Sequence, residues 1–238
     1  MTRLKLPDPA FLSTVTPAAA AGIITNGLLL HLDAGNTASY PGTGTTWTDL
    51  SGKGTNGTFG TGSSAPSYNS SDGGSIAFDG GDHVSVSNTN LIHRTANWTY
   101  AFWVMFNATP TWYTLCENGS WTDSLLIRPQ YNLQIGVYAM GDASMGEFSF
   151  VPTLNIWYHH CFVRNGNFVE WYRNGSYVSS LAFNKDIQPS SNLFIGKSQH
   201  SGSQALNGRI AVVAIYDRAL SASEVTQNHD ALKSRYGL

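Results

Sequence analysis

The sequence predicts an all-β chain, a two-sheet antiparallel sandwich closed by one short C-terminal helix. Three observations predict it. Short apolar runs recur along most of the length and are separated by turn residues. Two Asn-Gly pairs, at 165–166 and 174–175, divide three consecutive runs so closely that antiparallel neighbours are forced. Charged residues are only 12% of the chain and glycines number 24, a composition suited to many turns and a neutral-polar surface. A length of 238 residues fits one such domain and can bury a core without staples.

Residues 1–25 are rich in Pro, Ala and Thr and lack periodicity, so they read as an extended N-terminal arm ahead of a domain at 26–238. Arg3, Lys5, Phe11-Leu12 and Ala18–Ala21 imitate a secretion signal. Pro7, Asp8 and Pro9 interrupt the place where its apolar stretch should run, so an uncleaved arm is expected. Gly27–Asp33 is the first strand. Gly35–Ser75 is glycine-rich loop, anchored by Trp47, Leu50 and Phe59. Ser75–Asp79 and His83–Ser87 flank Gly80-Gly81 as a hairpin. Trp98–Phe106 is apolar on both faces, as a central strand must be. Trp112–Cys116, Ser124–Arg128 and Leu133–Tyr138 are shorter strands. Ile156–Arg164, Asn167–Arg173 and Ser176–Leu181 form the meander through the Asn-Gly turns, and Leu193–Ile195 and Arg209–Tyr216 complete the sheets. Ser221-Ala-Ser-Glu224 is a capping box. Val225, Leu232 and Tyr236 then share a helical face before Gly237, a C-cap.

Net charge is −2 and no Lys/Arg run exists, which argues against a nucleic-acid partner. No apolar run reaches the ~18 residues of a membrane span. Cys116 and Cys161 lie inside apolar runs and read as buried free thiols.

From about Gly27 to Leu238 the chain resembles the LamG-like, concanavalin A-like jelly roll. The residues that carry this are Phe78-Asp-Gly80 with Asp82, Trp98–Trp103, Trp157–Cys161, Trp171–Gly175, Phe194–Gly196, Leu206–Ile210 and Ile210–Val225. Gly27–Asn36, Trp47–Gly52 and Arg218–Asn228 also resemble LamG-containing structural proteins of tailed bacteriophages, including those of cyanobacteria. That resemblance implies a non-enzymatic virion component, a capsid decoration, head fibre or tail-associated protein assembled in the host cytoplasm. Its implied partners are the major capsid or another virion protein, with a homo-oligomer or several copies per particle.

In such a role the arm docks on a neighbouring subunit through Leu4, Leu6, Phe11, Leu12, Ile23 and Ile24, since it has little apolar content for packing on its own domain. The alternative is a lectin-like module for host-surface glycans, which needs exposed rings to stack on sugars and amide or carboxylate partners beside them. Trp112, Tyr113 and Trp121 with Asn118 and Asp123 are the candidates, and Tyr131, Asn132 and Tyr138 lie close in sequence. No cofactor is required. Calcium is the candidate ion, at Asp79 and Asp82, with Asp33 and Asp49 as further loop-edge carboxylates. The competing role for Asp79 and Asp82 is to hold the turn backbone.

An enzyme is not expected. A retaining glycanase needs two carboxylates about 5–5.5 Å apart. The four glutamates, Glu117, Glu147, Glu170 and Glu224, stand in no alternating acidic run. His159 and His160 are adjacent on a strand, so they face opposite ways and share no metal.

Overall fold

The computed structural model describes residues 21–87, 91, 97–109, 113–118, 125–130, 134–139, 147–184, 192–198 and 205–238. Within them the strands, in chain order, are β1 (Leu28–Asp33), β2 (Thr46–Trp47), β3 (Gly57–Phe59), β4 (Ser67–Asn69), β5 (Ser75–Asp79) and β6 (Val84–Ser87). There follow β7 (Trp98–Phe106), β8 (Cys116–Asn118), β9 (Leu125–Gln130), β10 (Gln134–Ala139) and β11 (Glu147–Ser149). The last are β12 (Trp157–Asn165), β13 (Phe168–Arg173), β14 (Ser176–Ala182), β15 (Asn192–Ile195) and β16 (Asn207–Tyr216), ahead of helix α1 (Ala222–Asp230).

They form two antiparallel sheets. One runs β14-β13-β12-β7-β16-β5-β4, with β1 also on β16, and the other runs β11-β10-β9-β8-β15-β6-β3-β2. The core lies between them. Alternation along β7 sends Trp98, Tyr100, Phe102, Val104 and Phe106 into it, where they meet Phe59, Val84, Ile127, Leu193 and Ile195 from the facing sheet. The other face of β7 is also covered: Trp103 and Met105 pack with Trp157, Val212 and Tyr236. This explains the two-faced apolar run of that strand.

The meander turns differ in detail. Asn174 and Gly175 both have positive φ, 49° and 76°, and close β13 onto β14 as the mirror-image turn requires. The first turn is displaced by one residue. Asn165 pairs with Phe168, so Gly166 and Asn167 are its centre, and of these only Gly166 is left-handed. Glycine at the first central position is the alternative hairpin geometry.

One expected pairing is absent. β5 and β6 are not a hairpin: β5 pairs with β4 and β16, β6 with β3 and β15, in opposite sheets. Gly80 and Gly81 carry a crossover instead. Each strand is paired on both of its edges within its own sheet. The loop-rich stretch also holds the short strands β2, β3 and β4. The last apolar positions do not share one continuous helix, because α1 ends at Asp230 and a separate 3-10 turn spans Lys233–Tyr236 before left-handed Gly237. Cys116 and Cys161 are both buried and free.

Candidate functional site

Helix α1 covers the outer face of the sheet that contains β7 and β16 and organises everything at that end. Its capping box is complete: the Ser221 hydroxyl accepts from the Glu224 N–H, and the Glu224 carboxylate accepts from the Ser221 N–H at 2.8 Å. The same carboxylate takes a two-pronged bond from Arg218, at 2.9 and 2.6 Å, and that guanidinium also donates to the Asn26 carbonyl. The ion pair holds the Glu224 carboxyl down at about 2.

The start of the described chain is strapped to this helix. The Ile24 N–H donates to Asn228 Oδ1 at 2.7 Å, and Gln227 Nε2 donates to the Gly22 carbonyl at 2.9 Å. Asn228 Nδ2 donates onward to the buried Tyr216 hydroxyl at 3.0 Å. Ile23 and Ile24 pack on Cys161, Val163, Tyr216, Leu220 and Val225. This corrects the expectation that these two isoleucines dock on a neighbouring subunit. They close the apolar groove beside α1 of their own domain, where Asn228 accepts from the Ile24 N–H. Leu4, Leu6, Phe11 and Leu12 lie outside the described residues.

Beneath α1, Trp103 stacks on His229 at 5.5 Å and on Tyr236 at 4.4 Å, and lies 5.2 Å from His159. His160 faces the other way, into the sandwich, and accepts from Trp171 Nε1 at 3.1 Å. Burial pushes both adjacent histidines down to about 3, with the neighbouring His229 adding to the effect at His159. They are neutral structural groups on opposite faces.

The acidic candidates hold backbone. Asp79 Oδ1 accepts from the Gly81 N–H and Asp82 Oδ2 from the Asp79 N–H, each at 2.9 Å, stapling the crossover. Burial first, and the Asp79 charge among lesser causes, raise the Asp82 carboxyl. Asp49 accepts four hydrogen bonds, from the N–H groups of His31, Ser51 and Thr55 and from the Ser51 hydroxyl. Asp33 accepts from Arg235 at 2.6 Å and from the Gly35 N–H. No group of three or more His, Cys, Asp or Glu side chains suited to a metal ion occurs among the described residues.

The expected aromatic site is only partly visible. Tyr113 is half-buried against the core. Asn118 is a correction: β8 alternation turns it inward, where it is buried and its Nδ2 lies 3.5 Å from the Tyr100 hydroxyl. It does not face solvent. Trp112, Trp121, Asp123, Tyr131 and Asn132 lie outside the described residues, as does the side chain of Tyr138. Among the described residues the strongly exposed rings lie elsewhere. They are Phe168, 54% exposed, and Tyr177, 55% exposed, on the β13–β14 ribbon. The signal for them was present in Phe168-Val-Glu-Trp-Tyr-Arg173, whose alternation sends Val169 and Trp171 inward and must therefore turn Phe168 outward.

The glutamates do not assemble a catalytic pair among the described side chains. Glu117 is fully buried on β8, Glu170 stands on β13 in the other sheet, and Glu224 is committed to the helix cap.

The laminin G profile of the concanavalin A-like lectin/glucanases superfamily matches residues 78–226, more than half of the chain and the stretch that supplies most of both sheets. The chain belongs to this superfamily. No curated protein is significantly similar to it in sequence. Among solved structures it is similar to domain 4 of AbnA, an extracellular GH43 arabinanase of Geobacillus stearothermophilus, in complex with arabinotriose. That likeness has a TM-score of 0.70 at 18% identity and covers 85% of this chain and 98% of that one. The binding domain of botulinum neurotoxin DC in complex with SialylT gives 0.67 at 14% identity, over 87% of this chain and 52% of that one. The binding domain of Paraclostridial mosquitocidal protein 1 gives 0.63 at 19%, over 86% and 52%. This chain thus spans about half the length of the toxin binding domains it matches. At these identities the likeness establishes the fold, a jelly roll also found in carbohydrate-binding domains.

Proposed function

We propose that the chain is a non-catalytic, lectin-like module that binds carbohydrate. The observation that carries this reading is the superfamily fold together with a likeness, over nearly its whole length, to a discrete domain solved with arabinotriose. The non-catalytic reading is supported by the separation of the described glutamate side chains: Glu117 is buried in one sheet, Glu170 stands in the other, and Glu224 is held in the helix cap by Arg218. A glycan microarray probed with the labelled full chain tests it. Binding to a defined class of saccharide is the expected outcome, and a blank array at high protein concentration removes the reading.

We further propose that the module is displayed on a virion through residues 1–20. The support is the resemblance of Gly27–Asn36, Trp47–Gly52 and Arg218–Asn228 to phage structural proteins. The strap adds to it, because residues 22–24 are pinned to α1 and so fix where the preceding chain leaves the domain. Deletion of residues 1–20, sparing the strap, is expected to abolish co-sedimentation with phage particles while leaving saccharide binding intact. Retained co-sedimentation would place the attachment elsewhere.

A further inference from the structure

We propose that the outer face of the β13–β14 ribbon is a saccharide-binding ledge, on which Phe168 and Tyr177 stack on sugar rings and Glu170, between them, accepts sugar hydroxyls. The assignment rests on the lectin-like reading above and says where, and for which class of sugar, that binding occurs.

Alternation fixes the face. Val169 and Trp171 belong to the core, so Phe168, Glu170 and Tyr172 point outward. Across the ladder Phe168 lies opposite Ala182, Glu170 opposite Ser180, and Tyr172 opposite Tyr177. The register shifts between Trp171 and Tyr172, whose partners are Ser179 and Tyr177, so Val178 of β14 is the extra residue of a β-bulge at that end. The four-residue step from Phe168 to the Tyr172–Tyr177 pair is about 13 Å at ~3.3 Å per residue, a span a short oligosaccharide covers.

The ledge is also held in place. The Tyr172 hydroxyl donates to Glu170 Oε2 at 2.6 Å, and its ring meets Tyr177 edge-on at 5.6 Å and 77°. Tyr172 itself is buried under α1. One carboxylate oxygen is thereby oriented by a fixed donor, and Tyr177 is braced from one side with its ring 55% exposed. A carboxylate has about four acceptor sites, so the Tyr172 bond leaves capacity for hydroxyl donors.

The chemistry selects the occupant. Rings separated by a carboxylate and the Ser180 hydroxyl match the alternating apolar faces and hydroxyl edges of a sugar chain better than a continuous apolar protein contact. Among the described residues the outward positions of the ribbon carry no Lys, Arg or His. Arg173 points to the other face, with its guanidinium 5.2 Å from the Phe150 ring. A neutral oligosaccharide therefore fits, and an anionic one does not.

The test is calorimetric titration of the full chain with arabinotriose, cellotetraose and chitotetraose separately. Phe168→Ala, Tyr177→Ala and Glu170→Gln are run alongside, with Thr58→Ala, at the exposed position of β3, as the control on the opposite sheet. All four melting temperatures are checked first. At least one sugar is expected to bind, and each ledge variant to weaken it about tenfold or more, equivalent to about 1.4 kcal/mol, with Thr58→Ala unchanged. Binding that survives the ledge variants overturns the ledge and leaves the lectin-like reading standing. Failure of all three sugars overturns the ledge as a neutral-oligosaccharide site, and the array then decides the broader reading by itself. A Tyr177-dependent dimer in analytical ultracentrifugation would give the ledge to a second copy and also overturn the assignment.

Discussion

Asn228 does more than its place on a surface helix suggests. One amide joins the Ile24 backbone to the Tyr216 hydroxyl, so the same side chain ties down the strap and satisfies a buried phenol. Asn228→Ala leaves both groups short of a partner. Urea denaturation is expected to show a loss of about 1–3 kcal/mol, with faster proteolysis at residues 21–25. Unchanged stability would mean that the strap is held without Asn228, by the Gln227 bond to Gly22 and the packing of Ile23 and Ile24. The two neutral histidines set the acid limit. In the unfolded chain His159 and His160 take up protons near pH 6.5, but in the folded chain only near 3. The folded state therefore binds fewer protons between these values, and stability falls as pH drops through that window. Glu224, held at about 2, adds a loss in the same direction below about pH 4.5. The melting temperature is expected to be level above pH 7 and to fall steadily from pH 6 to 4, with a shallower fall in His159→Phe. A melting temperature constant to pH 4 would contradict the burial of these rings.

At the scale of elements, α1 shows how far local signals reach. The capping box was legible from Ser221 and Glu224 alone, and both of its bonds are formed. Ser221→Ala should cost about 1 kcal/mol in the melting curve and loosen the Arg218 link to Asn26, visible as faster amide exchange in residues 22–28. If exchange there is unaffected, the helix and the strap are independent. The meander was legible for the same reason: Asn174-Gly175 has few conformations, and both residues adopt the left-handed one. The β5–β6 pairing was not legible. A two-glycine link permits a hairpin but does not require one, and the choice of sheet is made by β16 and β15, more than a hundred residues away. The short strands β2 to β4 carry too few residues for any periodicity to register. Asn118 was misassigned because proximity to loops says nothing about which face of β8 a residue occupies.

For the whole molecule, composition and strand pattern made the sandwich readable, since two apolar faces and frequent turns admit few other architectures. Function was less so. The rings proposed from sequence were chosen by their nearness to turns, whereas exposure is decided by the packing of entire sheets, which put Phe168 and Tyr177 outside and committed most described aromatics to the core. The fold also places the strap, α1 and the β13–β14 ribbon together. The Asn174-Gly175 turn packs against His229, and Thr226 Oγ1 donates to the Gly175 carbonyl at 2.9 Å. A chain attached through its N-terminus would therefore hold the ledge in a defined orientation. The central claim is that this module recognises carbohydrate without transforming it. It is tested most directly by the glycan microarray, followed by product analysis of every glycan that binds. The account predicts retention of neutral oligosaccharides that are recovered uncleaved. A blank array, or cleavage of a bound glycan, would contradict it.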